Sequence, residues 1–143
     1  MATLTQQMKE AITSVPTDKT PCLIGTVSAD GWPNISYRGS VAVYSDDSLS
    51  FWNRQRKDTV ANVEAHPQVV IFYTNRERMA QWRFLGRARV VDDPVERERI
   101  LSITPQVELD ADPELKGVGV IVELERILDY QNNDVSAGAP QAA

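Results

Sequence analysis

The chain has 143 residues, with 20 acidic against 15 basic side chains and a net charge of −5. That is room for one domain with a real core, and the wrong sign for non-specific nucleic-acid binding, which rests on Lys and Arg neutralising phosphates. One cysteine, Cys22, and one histidine, His66, exclude an intrachain disulfide and leave too few soft ligands for the common zinc sites.

The predicted elements follow in order. Leu4, Met8, Ala11, Ile12 and Val15 recur at helical spacing, so residues 3–15 read as a helix stopped by Pro16. CLIGTVS alternates as a strand, with Leu23, Gly25 and Val27 on one face and Ile24 and Thr26 on the other. Cys22 is expected to be a buried, inert thiol there. Asp30-Gly31 supplies a hairpin turn lengthened by Trp32-Pro33.

From Asn34 to Tyr44 the alternation runs long. Ile35, Tyr37, Val41 and Val43 are expected to face the core, and Ser36, Arg38, Ser40 and Ala42 to form a polar face. Leu49–Trp52 is the next strand. Residues 69–74, VVIFYT, are apolar on both faces, as a strand in the middle of a sheet would be.

Residues 80–92 form a long strand with Trp82, Phe84, Ala88 and Val90 on one face, opposite Gln81, Arg83, Leu85, Arg87 and Arg89. Gly86 interrupts it, as at a bulge, a corner or a close backbone approach. Pro94 starts a helix that Pro105 ends. The last strand, residues 117–130, buries Val118, Val120, Val122 and Leu124 and exposes Glu123 and Glu125, to which Arg87 and Arg89 are expected to pair. Residues 131–143 have almost nothing to bury and are expected to be a flexible tail after a single domain of residues 1–130. About six strands without long crossovers predict an antiparallel barrel decorated by short helices.

No apolar run approaches the ~20 residues of a bilayer-spanning helix, and the N-terminus lacks the apolar core of a signal peptide. The expected location is cytoplasmic, with neither membrane nor nucleic acid as partner.

The chemistry concentrates in FWNRQRKDTVANVEAHPQVVIFY, residues 51–73. A strand end runs into a basic turn (Arg54, Arg56, Lys57) and a short helix from Thr59, with Asp58 or Thr59 as its cap. A helix start beside cations, a hydroxyl and free N–H donors is how a phosphate site is made. Basic residues in a turn are also ordinary solvated surface, and Asp58 would repel an anion. The sole imidazole rules out a Ser-His-Asp set.

The order of these motifs resembles the pyridoxamine 5′-phosphate oxidase-like family of FMN-binding split barrels. The resemblance runs from SADGWPNISYRGSV through residues 51–73 to MAQWRFLGRARVV and the helix at Pro94. It implies a six-stranded antiparallel split barrel, mainly β with short helices, that forms a homodimer with FMN at the subunit interface. By position, it implies that Arg38 reaches the flavin phosphate, with Ser40 on the same polar face. Trp52 and Asn53 then lie beside the flavin, and Gln81 against it. The basic pair is displaced: Asp58 and Thr59 stand where Arg-Lys is expected, so Arg56 and Lys57, with the Thr59 hydroxyl, are the implied phosphate ligands.

Members that make the vitamin end in a segment with a tryptophan and arginines. This sequence ends in QNNDVSAGAPQAA, so that activity is not expected. The resemblance implies an FMN-dependent oxidoreductase acting on a small redox substrate. A non-catalytic flavin-binding or sensing module, and F420 or haem in place of FMN, are the alternatives.

Overall fold

In chain order, strands β1 (Cys22–Val27), β2 (Pro33–Arg38), β3 (Ala42–Ser45), β4 (Ser48–Asn53), β5 (Gln68–Asn75), β6 (Ala80–Val90) and β7 (Val118–Leu128) make one sheet, ordered β2-β1-β5-β6-β7-β4-β3. Every pairing is antiparallel. This is a computed structural model describing residues 1–55 and 57–138.

The connection between β2 and β3 closes the barrel. These strands are the two outer strands of the sheet, yet only Gly39, Ser40 and Val41 join them. Four Cα steps reach about 14 Å. A flat sheet would hold its first and seventh strands about 29 Å apart, at six spacings of the strand-to-strand distance. The sheet therefore rolls up, and the join between β2 and β3 is a split.

The same connection corrects the strand count from six to seven. The run 34–44, expected as one strand, breaks at Gly39–Val41 and moves from one sheet edge to the other. The facing of its first half is corrected too. Ile35 and Tyr37, expected in the core, are 67% and 71% exposed, while Val41 is buried.

The other strands alternate as their sequences dictate. Ile71, Tyr73, Trp82, Phe84, Val120, Val122 and Leu124 fill the interior with Phe51 and Leu49, and Tyr73 stacks on Trp82 at 5.4 Å. Gly86 sits at the register shift between β6 and β7. A Cβ there would overlap the backbone carbonyl of Glu123, so the close approach of two strands requires glycine.

Helices α1 (Gln6–Thr13) and α2 (Val15–Asp18) precede the barrel. The expected helix is split at Ser14, because Thr5 caps the first part and Pro16 stands in the first turn of the second. Helix α3 (Asp58–Ala65) follows β4, and α4 (Pro94–Ile103) and α5 (Gln106–Asp110) join β6 to β7. Asp93 caps α4, and its Ile100 packs with Trp52, Val91 and Ile121 in a second apolar cluster on the outside of β4 and β7.

The segment expected as a tail is bonded through its described part: Asp134 bridges to Leu128, Val135 N–H donates to Ile127, and Ala137 N–H to Thr3. No described helix is long and apolar enough to cross a membrane.

Candidate functional site

The split opens into a cleft of ≈ 920 Å³, within the size range of cofactor pockets. Its walls come from β2 and the link after it, the end of β4, the start of α3, and the segment from Glu108 to Lys116. Sequence-distant pieces meet here because β2 and β3 are left unpaired with each other.

Arg38, the last residue of β2, crosses the cleft toward β4. Its Nη2 donates to Asn53 Oδ1 at 2.8 Å and Thr59 Oγ1 at 2.6 Å, its Nη1 donates to the Tyr37 carbonyl at 2.8 Å, and the guanidinium lies 5.7 Å from the centre of the Phe51 ring. Burial, then the charge of Arg54, lowers its affinity for its proton, while Glu108 acts the other way. Its Nε is buried and has no partner among the described residues, and neither has the Ser36 hydroxyl on the same wall. Thr20, Ser50 and Tyr73 also carry buried hydroxyls without a partner, but away from the cleft; Arg38 and Ser36 are the two of this set that line it, where a ligand could satisfy them.

Thr59 accepts from Arg38, so its own hydroxyl proton remains free to donate. Asn53 accepts from Arg38 and passes its amide N–H to the Gln55 carbonyl, which folds the basic turn back toward the cleft. The expected side-chain cap on α3 is absent. Lys57 is the N-cap and makes no capping bond, and Asp58 is the first helical residue. The first-turn N–H groups are thus free of a side-chain acceptor at a helix start that faces the cleft. Lys57 and Arg54 are exposed on the rim; Arg56 lies outside the described residues.

Ser40 and Trp52 line the cleft but have other duties. Ser40 Oγ donates to the Trp52 carbonyl at 3.0 Å and accepts from its N–H at 3.1 Å, a side-chain continuation of the β3–β4 pairing beyond Ala42↔Ser50. No donor is left for a ligand. The Trp52 indole is buried in the second apolar cluster, with the Arg97 guanidinium 5.1 Å from its ring centre, and donates to Asp112 Oδ2 at 2.9 Å.

Asp112 went unnoticed in the sequence. It also accepts from the N–H groups of Lys116 at 3.1 Å and Gly117 at 2.9 Å. Burial opposes its ionisation, but the Trp52, Gly117 and Lys116 donors and the Arg54 charge hold it below the usual carboxylate range. Its partner Trp52 lies 60 positions away, so no local pattern could have shown it. Asn34, Ser36 and Glu108 were equally unassigned, although all line the cleft, as does Arg54 of the expected basic turn.

Gln81 is the exception among the expected residues. It stands outside the cleft, on the outward side of β6. Arg83, two residues on, pairs with Phe72, Phe72 with Leu23, and Leu23 with Tyr37, so Gln81 shares one outer face with those residues.

Residues 4–121 match the family described as pyridoxamine 5′-phosphate oxidase. The chain belongs to this family. It is similar to HupZ of Group A Streptococcus at 26% identity, over 94% of this chain and 99% of that one, with a TM-score of 0.69. General Stress Protein 26 from Bacillus anthracis has the same fold at 16% identity, 92% and 99% coverage and TM-score 0.65. So has an FMN-binding protein from Syntrophomonas wolfei, at 16% identity, 85% coverage of each chain and TM-score 0.63. No curated protein matches the sequence. The family's split-barrel fold is the one built here, with its split at the cleft.

Proposed function

We propose that this chain binds FMN in the split and acts, as a homodimer, as an FMN-dependent oxidoreductase on a small redox substrate. One observation carries the reading: the buried, partnerless Nε of Arg38 lies in the same cleft as the uncapped start of α3 and the free Thr59 hydroxyl. A phosphate monoester matches that set, since it accepts several charge-assisted bonds at once. Lys57 would add charge at the rim. The naming of one solved relative as FMN-binding supports the same ligand.

When bound, the flavin supplies hydride or electron transfer. The chain's part is to hold the phosphate, keep water from the buried end of the cleft and fix the ring. No side chain is then required as acid or base. The cleft contains no imidazole or thiol among its described residues, which favours FMN over a haem held by either.

The homodimer reading rests on the outer face. Ile35 and Tyr37, alternate residues on one face of β2, stand 67% and 71% exposed, and Trp32 in the turn before it 72%; exposed large apolar side chains of this kind are what subunit interfaces cover. Gln81 lies on that face, so the partner's cleft is where it would meet a flavin. Sedimentation showing a stable monomer at micromolar concentration with FMN bound would sink this part.

The direct test is the absorption spectrum of protein purified from cells, followed by titration with FMN. Oxidised-flavin bands, or uptake of FMN at micromolar concentration, are expected. A haem or F420 spectrum, or failure to take up any flavin, would overturn the assignment. Turnover of a nicotinamide donor with acceptor dyes then separates an enzyme from a flavin-binding module.

A further inference from the structure

The described lining of the cleft carries four basic side chains, Arg38, Arg54, Lys57 and Lys116, against three carboxylates, Asp58, Glu108 and Asp112. A site meant to gather as much negative charge as possible would not carry so many acids. Their duties differ. Asp112 spends its oxygens on Trp52, Lys116 and Gly117. Asp58 stands exposed in the first turn of α3.

Glu108 has no such employment. It makes no ion pair or side-chain hydrogen bond among the described residues, and it is half-buried in the cleft. Its carboxylate rests on the backbone of Gly39, in the space that a Cβ at that position would fill. Gly39 follows Arg38 in the chain, so the negative charge is set beside the phosphate-binding arginine, and its field is felt there. The five-residue α5 that carries Glu108 is too short to hold itself. Asp112, anchored on Trp52, ties the following loop to the cleft wall and keeps Glu108 in place.

We propose that Glu108 is a specificity-determining residue: its carboxylate opposes negative charge at the phosphate end and limits how much of it the cleft accepts. A phosphate monoester is then taken in preference to ligands with a longer acidic tail. This rests on the reading of the cleft as a site for a phosphate-bearing flavin. The acid trades affinity for selectivity, which is how a site rejects a competitor of similar shape.

The test compares riboflavin, FMN and F420 binding to the wild-type chain and to Glu108→Gln, by flavin fluorescence at low and high salt. FMN should tighten by about 2- to 5-fold in the variant, the range for a charge met across a partly exposed site. F420 should gain more and riboflavin nothing, with the gains shrinking as salt rises. Unchanged FMN affinity, or a gain for F420 no larger than for FMN, overturns the proposal. Equal changes for riboflavin and FMN overturn it too, since Glu108 would then touch the ring or the sugar alcohol. If the wild-type chain binds neither riboflavin nor FMN, the flavin reading itself falls and takes this one with it.

Discussion

At the split, Arg38 of β2 is half-buried, bonded by two of its nitrogens to neutral acceptors and left with a third unpaired. On the wall formed by β6 and β7, Arg87 and Arg89 are answered by carboxylates: Glu125 at 2.7 Å for Arg87, Glu96 at 2.5 Å and Glu123 at 3.6 Å for Arg89. All three are strand arginines in one sheet. The difference is where the counter-charge comes from. A stabilising pair carries it within the chain and stays in solvent, where leaving it costs little. Arg38 is desolvated with its charge only partly matched, a cost that folding alone does not repay and that a bound anion would offset.

The sharpest way to break this contrast is to remove Arg38. Arg38→Ala should weaken FMN by roughly 1.5–3 kcal/mol, the range for hydrogen bonds to a charged group, and leave riboflavin nearly untouched. Titration of both ligands decides it. Equal losses would make Arg38 a support of the barrel, of the same kind as Arg87 and Arg89.

Next in size is Asp112→Ala, which strands the buried Trp52 indole and two backbone N–H groups. A cost of about 1–3 kcal/mol in unfolding free energy is expected by denaturant titration. The pH dependence follows from the depressed carboxyl of Asp112. A folded-state pKa below the unfolded value means stability that is present above about pH 4 and lost as pH falls through the folded pKa. Wild type and variant should therefore converge in acid. A difference that does not shrink as the pH falls below about 4 would mean the ionised carboxylate is not what Trp52 binds.

Burial of Cys22 in β1 gives a smaller, independent check of the closed barrel, because it pushes the thiol up to about 12. The native chain should resist thiol reagents at pH 8 and react on unfolding. Rapid labelling of the folded chain would show that β1 opens.

Much of this contrast could be read from residue order. The pairing of Arg87 and Arg89 with β7 and the inward set Trp82, Phe84 and Ala88 follow from period-2 alternation, the closeness of Lys57 and Thr59 from one strand-turn-helix segment, and the joining of Arg38 and Asn53 to them from the family resemblance. The split did not. Ser36, Arg38, Ser40 and Ala42 keep their alternation straight across Gly39–Val41, so a change of sheet edge leaves no mark in the pattern. Ile35 and Tyr37 look like core residues for the same reason: apolar side chains that face a partner and those that face the interior have the same period. Asp112 and Glu108 lie in an irregular acidic stretch, where only the third dimension brings them to Trp52 and Gly39.

The smallest expected effect lies on the wall. Arg89 holds Glu96 through both Nη atoms, at 2.9 and 2.5 Å, in a forked pair. Both side chains are partly in solvent, at 46% and 27% exposure, so screening and side-chain entropy leave at most about 1 kcal/mol. Arg89→Ala should lower the melting temperature by no more than about 2–4 °C. It should do so less at high salt. The hydrogen bond from Arg89 is the first cause holding the Glu96 carboxyl below its ordinary value. The pair therefore contributes in full above the unfolded carboxylate pKa of about 4.3 and is lost as pH falls from there through the lower folded pKa. FMN affinity should be unchanged. If Arg89→Ala weakened FMN as much as Arg38→Ala, the wall would belong to the binding site, and the division of the barrel into a self-neutralised side and a ligand-neutralised side would be wrong.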